Sequence, residues 1–118
     1  MTFDFYLGGY GRDEFRLKLV CSMLHCSEYQ GLPSDNCKLI SLYGSKDWEQ
    51  LTDFLRNSRW EKRYDNIFVC DGTQWELKCK GKGIRINSYG SNSFPEQFEE
   101  FLATLNRVVV GAGIKIIK

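Results

Sequence analysis

Residues 43–55 read YGSKDWEQLTDFL, and residues 89–102 read YGSNSFPEQFEEFL. Tyr43-Gly44-Ser45 aligns with Tyr89-Gly90-Ser91, Trp48 with Phe94, and EQLTDFL with EQFEEFL; Pro95 is one extra residue in the second stretch. Internal similarity bears on architecture before any single motif does. In the first stretch Trp48, Leu51, Phe54 and Leu55 fall on one stripe of a helix. Ser45 is placed to cap it, Asp47 and Glu49 sit in the first turn where the helix dipole favours acids, and Asn57-Ser58 ends it. In the second stretch Phe94, Phe98, Phe101, Leu102 and Leu105 make the stripe. Ser93-x-x-Glu96 reads as a capping box, with Pro95 in the first turn, where its missing N–H costs nothing.

Outward from the helices the apolar period is two, the period of strands. Phe3, Phe5 and Leu7 alternate with Asp4 and Tyr6, and the glycine-rich segment from Gly8 to Asp13 reads as a turn. Phe15, Leu17, Leu19, Cys21 and Met23 alternate with Arg16, Lys18, Val20 and Ser22, which predicts one long strand. The segment 27–36 reads as a loop and 37–43 as a third strand. After the first helix, 66–70 reads as a short strand, Asp71-Gly72 as a hairpin turn, and 74–80 as a strand with Trp75, Leu77 and Cys79 inward. Gly81-Lys82-Gly83 turns the chain, Ile84 and Ile86 mark the next strand, and the VVVGAGIKIIK tail offers a short edge strand. FRLKLVC (15–21) also aligns with WELKCK (75–80). The expected fold is α+β: a duplicated β-β-β-α, with an antiparallel sheet of about six strands and two helices on one face. One domain, 1–118, holds pseudo-repeats at about 3–57 and 66–107.

A chain of 118 residues has enough interior for one core without staples. No apolar run reaches the roughly 20 residues that span a bilayer. The first residues carry Asp4, no basic segment and no long apolar run, so they do not read as a signal peptide, and the cytoplasm is the expected compartment. The five cysteines (Cys21, Cys26, Cys37, Cys70 and Cys79) are odd in number and contain no C-x-x-C pair. Disulfides and zinc are therefore not expected, and Cys21 and Cys79 read as small core residues.

DGTQWEL (71–77) and YGSNSFPEQFEEFL (89–102), together with the LGGYG start (7–11), resemble a group of small uncharacterised bacterial proteins. In that group an LGGYG-type start, a YG-x-x-x-W helix start, a DGTQW hairpin and a GSN-x-x-P-x-x-F helix recur. The resemblance covers most of the chain and implies no activity. Each marker also has a structural task here: a turn, a core tryptophan, a helix cap.

Catalytic patterns fit poorly. The single histidine, His25, adjoins Cys26, and neighbours on a strand point to opposite faces. Gly8-Gly9-Tyr10-Gly11 is followed by a strand rather than the helix that a phosphate loop requires, and Gly81-Lys82-Gly83 lies in a hairpin. Glu99, Glu100, Asp47 and Glu49 lie off the apolar stripes, as solvated helix surface does. No catalytic residue, cofactor or metal is expected.

The strand phase opposite the helices is different. It holds Arg16, Lys18, Lys38, Lys78, Lys80 and Arg85, with Lys82 in the nearby turn and Tyr6 and Tyr89 on the same phase. Asp4, Glu14 and Glu76 are its acids, whereas the helices carry Asp47, Glu49, Asp53, Glu96, Glu99 and Glu100. With a formal net charge of +1, the chain is thus polarised into a basic sheet face and an acidic helix face. Two readings of the basic phase stay open: a solvated face with cross-strand pairs, or a binding face whose tyrosines stack on bases or anchor a protein. The functional expectation is a non-catalytic binding module of bacterial or phage type, a small inhibitor or accessory protein of the anti-CRISPR or immunity kind. Its partner would be a protein or nucleoprotein and not a membrane. The alternative is direct nucleic-acid binding.

Overall fold

The computed structural model describes residues 1–9, 13–29, 37–65 and 72–117. Four strands come first, β1 (Thr2–Gly9), β2 (Glu14–Val20), β3 (Met23–Tyr29) and β4 (Cys37–Ser41), followed by helix α1 (Lys46–Arg56). Strands β5 (Arg63–Asp65), β6 (Thr73–Gly81) and β7 (Ile84–Ser91) lead to helix α2 (Phe98–Val109) and a 3-10 turn at Val110–Ala112. The strands form one seven-stranded sheet in the order β4-β3-β2-β1-β6-β7-β5. Every neighbouring pair is antiparallel except β5 and β7, which run parallel.

β1 is the central strand, and its inward side chains set the core. Leu7 lies opposite both Phe15 of β2 and Trp75 of β6, and Phe5 lies opposite both Leu17 and Leu77. The FRLKL and WELKC segments therefore do equivalent work on the two sides of one strand. The helices lie side by side over this phase. Trp48 meets Phe3 edge-to-face at 5.2 Å, and Phe101 meets Phe5 at 5.0 Å. Phe5, Leu7, Leu51, Leu77, Phe101 and Leu105 are fully buried. Edge-to-face pairs of this kind add about 0.5–1.5 kcal/mol each beyond area burial.

The fold class is as expected, but the strand plan differs in three places. First, the long second strand is two strands. The chain reverses at Cys21-Ser22, both at positive φ (50° and 63°), as in a type I′ hairpin turn. Neither residue is a glycine, asparagine or aspartate, so no turn signal interrupts the alternation. Cys21 is consequently exposed on a turn rather than in the core, and Leu24 and Cys26 take the inward positions. Second, among the described residues four strands precede α1 and three lie between α1 and α2, so the halves do not match one β-β-β-α order. Third, the sheet is mixed because β5, at 63–65, docks parallel on β7. The expected strand at 66–70 and Asp71 of the expected hairpin lie outside the described residues, as do residues 10–12 of the first expected turn.

The two similar stretches diverge at their starts. Ser45 caps α1, its Oγ accepting from the Trp48 N–H at 3.1 Å. Its counterpart Ser91 is still in β7, and α2 begins later, after Gln97, with no side-chain cap. The expected Ser93–Glu96 capping box does not sit at the N-terminus of α2, whose N-cap position is Gln97, past both residues; the Ser93 carbonyl instead accepts the Trp75 indole N–H at 2.9 Å. Pro95 is buried ahead of α2 rather than in its first turn. From there the registers agree again: Leu51 and Phe98, and Leu55 and Leu102, are buried. Among the described residues the tail forms no strand. Ile114 and Ile116 are buried instead, and Asn106 holds the chain through Nδ2 to the Ile116 carbonyl (2.9 Å) and Oδ1 to its N–H (2.7 Å).

Burial pushes the Cys26 thiol up to about 12 and the Cys79 thiol up to about 11. An unfolded thiol ionises near 9.0, so the unfolded chain gives up these protons first. The associated stability is present below that pH and is lost as pH rises towards the folded values. Alkylation at pH 8 is expected to label Cys21 and Cys37 and spare Cys26 and Cys79 until the chain unfolds. Mass mapping of the labelled peptides checks this, and rapid native labelling of Cys26 or Cys79 would contradict it.

Candidate binding face

Among the described residues, the face of the sheet away from the helices carries no second layer. Pair register sorts its side chains into rows that cross the strands. One row runs Leu39, His25, Lys18, Asp4, Lys78, Asn87. The next runs Cys37, Ser27, Arg16, Tyr6, Glu76, Tyr89, Arg63 and spans all seven strands. Nearer the β6–β7 turn, Lys80 lies opposite Thr2 on one side and Arg85 on the other.

Seven of the nine expected site residues are on this face: Tyr6, Arg16, Lys18, Lys78, Lys80, Arg85 and Tyr89. Lys38 is not. It lies opposite the inward Cys26, so it has the helix-side phase, and its Nζ donates to the Ala112 carbonyl at 2.8 Å. Alternation does not set the phase of β4, because apolar residues fall on both sides of it, Leu39 outward and Ile40 inward. Lys82 sits at the tip of the β6–β7 hairpin with φ 53°, and its carbonyl accepts from Arg56 Nε at 2.8 Å. Arg63, His25 and Leu39 belong to the face and were not anticipated. Arg63 lies in a three-residue strand within a charged stretch, too short for alternation to register.

Three of the four cations of the central rows are held by carboxylates. Arg16 Nη2 is 2.8 Å from Asp4 Oδ2, Lys78 Nζ is 3.3 Å from Glu76 Oε1, and Arg63 pairs with Asp65. Asp4 has Lys18 and Lys78 on either side, and its Oδ1 is buried without a partner among the described residues. Tyr6 leans along its strand: a Cβ on Gly8 would lie 2.7 Å from the Tyr6 hydroxyl and 2.8 Å from Glu14 Cγ. Burial, and then the charge and hydrogen bond of Glu14, raise the Tyr6 phenol above its ordinary value. These contacts fix Tyr6 and Arg16 in place before any partner arrives. By contrast Lys18, Lys80, Arg85 and Lys82 make no ion pair among the described residues, and the like charges of Lys80 and Arg85, directly opposite, repel.

The helix-side rim holds a cleft of about 490 Å³ between the α1–β5 connector and the start of α2. Arg59, Trp60, Tyr64, Glu61, Glu96 and Gln97 are among its lining residues. Trp60 packs edge-to-face on Trp75 and Phe101, with its Nε1 buried and unpartnered among the described residues. Two carboxylates beside one guanidinium give the cleft no single preference for charge. His25 and Cys26 point to opposite sides of β3. Among the described residues no three His, Cys, Asp or Glu side chains gather as metal ligands, and no helix is long and apolar enough to cross a membrane.

Comparison of the chain with protein-family models, with curated proteins and with solved structures finds no match in any of the three.

Proposed function

We propose that this protein is a non-catalytic binding module that docks a protein or nucleoprotein on its open sheet face. One observation carries the choice of a protein surface over bare phosphate: three of the four cations of the central rows, Arg16, Lys78 and Arg63, are already paired with neighbouring carboxylates. A phosphate backbone selects free cations and releases counterions from them. An ordered mosaic of Arg16, Tyr6, Glu76, Tyr89 and Arg63 suits a polar protein surface with aromatic and arginine anchors. Short single-core domains without a catalytic set serve as inhibitors, immunity proteins or accessory factors in bacteria and phages. A blocker of a nucleic-acid-binding enzyme, in the manner of an anti-CRISPR, fits the size and the charge pattern; that step is analogy.

The second reading, direct nucleic-acid binding, is favoured by Lys80, Arg85 and Lys82, whose charges no described carboxylate offsets. Titration with short DNA and RNA across a salt series separates the two. The expected result is no binding tighter than about 100 µM at physiological salt, the weak end of non-specific association. A micromolar Kd that falls steeply with salt, and is abolished by charge reversal at Lys78 and Lys80, would establish the second reading instead.

A further inference from the structure

The two edges of the sheet are built differently. β5 is three residues long, with charged Arg63 and Asp65 at its ends, and such short charged strands discourage edge pairing. β4 is five residues long, contains no proline, and every residue but Ile40 is exposed. On the open side it presents Cys37, Leu39 and Ser41, and Leu39 is 57% exposed, the most exposed apolar side chain on any described strand. Its one charged residue is Lys38. A lysine on the inward phase is a usual guard of an edge, but this one is drawn back onto its own chain, where its Nζ donates to the Ala112 carbonyl at 2.8 Å.

We propose that β4 pairs antiparallel with β4 of a second copy of this chain. The strand is self-complementary about Leu39. A twofold axis through that residue sets Leu39 against Leu39 of the partner subunit, Cys37 against Ser41 and Lys38 against Ile40, so no like charges stand directly opposite. Each lysine stem lies along an isoleucine, and its ammonium keeps the Ala112 carbonyl at the rim. The axis is perpendicular to the sheet. Two seven-stranded sheets therefore join into one, with all four helices on one side and both open faces continuous on the other. A partner-binding face doubled in this way engages a symmetric or repeated target with avidity. The pairing itself is made through the edge of β4, with Leu39 at the margin of the open face, and stands without that reading.

Sedimentation equilibrium of the full chain from roughly 1 to 500 µM tests the pairing directly. The expected result is a monomer–dimer equilibrium within that range. Leu39→Lys, which opposes two lysines at the axis, should weaken it at least tenfold while leaving the melting temperature within about 2 °C, since the position is exposed. A second measurement fixes the register. Mild oxidation of the Cys37→Ser/Leu39→Cys chain should yield a disulfide between residues 39 of the two copies, with the exposed Cys21 unlinked as the control. A monomer across the whole range overturns the proposal. So does a dimer that Leu39→Lys leaves intact, or one whose cross-links ignore position 39.

Discussion

Replacing Gly90 by alanine is expected to destabilise the domain by about 3 kcal/mol, at the top of the range for overpacking a filled interior. Gly90 is in β7, opposite Trp75, on the buried phase. A Cβ there would lie 2.4 Å from Trp75 Nε1 and 2.6 Å from the Ser93 carbonyl oxygen. Neither obstacle is the free end of a flexible side chain. One is backbone; the other is a 2%-exposed indole whose N–H is bonded to that same carbonyl. Relief requires the ring to shift, which breaks the bond and disturbs its contacts with Trp60 and Phe98 at 5.5 and 5.2 Å. Thermal unfolding should show a loss of roughly 10 °C or more, at about 4 °C per kcal/mol for a chain of this size. Trp75→Phe alone removes the donor and leaves the Ser93 carbonyl unpaired, at a cost of about 1–3 kcal/mol. Combined with Gly90→Ala it should be less damaging than the sum, because the smaller ring leaves room for the methyl. A Gly90→Ala chain that melts like the parent would mean the indole does not lie on residue 90.

That contact also gives DGTQW and YGSN a shared physical reason. Trp75 crosses from β6 onto β7 at the one position without a side chain and is tied down by Ser93. Next to it, Asn92 adopts φ 57°, its N–H donates to the Thr73 carbonyl at 2.8 Å, and a Cβ on Gly72 would fall 1.6 Å from its Oδ1. The motif that resembled a family signature is thus a packing unit joining the β6 start to the β7 end.

The same locality explains what was readable in the chain. Burial imposes a period on every residue of an element, so the inward phases of β1, β2, β6, α1 and α2 were visible as Phe3-Phe5-Leu7, Phe15-Leu17, Trp75-Leu77-Cys79 and the two helical stripes. The β2–β3 turn was not, because its positive φ values fall on Cys21 and Ser22 and alternation continues through them unbroken. That one turn cost the strand count and the placement of Cys21, while the phase of Lys38 was hidden because Leu39 and Ile40 put apolar residues on both sides of β4. β5 was hidden because three residues docked parallel on a distant strand leave no periodic trace. The site fared similarly. Which residues share the open face is set by phase, whereas which cations are paired depends on side-chain reach: Arg16 crosses from β2 to Asp4 of β1, while Lys78 and Arg63 turn to Glu76 and Asp65 two residues away on their own strands.

Loss of Tyr89 should damage partner binding more than loss of any lysine on the face. Tyr89 lies between Glu76 and Arg63 in the long row and is 38% exposed, so its neighbours already restrain the ring while its outer surface stays available. Restrained tyrosines give up little entropy on binding and are frequent hot spots. Tyr89→Ala is expected to cost at least about 2 kcal/mol of binding, close to thirtyfold in Kd. Arg16→Ala should approach it. It removes a guanidinium already oriented by Asp4 and leaves that carboxylate, whose Oδ1 is buried, without its partner. Lys80→Ala and Arg85→Ala, at the sheet end, should change Kd only a few-fold and act mainly through association rate and salt dependence, as rim charges do. Titration calorimetry of each variant against the native partner, with melting temperatures as the folding control, measures the order. If instead Lys80 and Arg85 dominate and Tyr89→Ala is neutral, the working surface is the unpaired basic corner, and the anionic-backbone reading replaces the mosaic face.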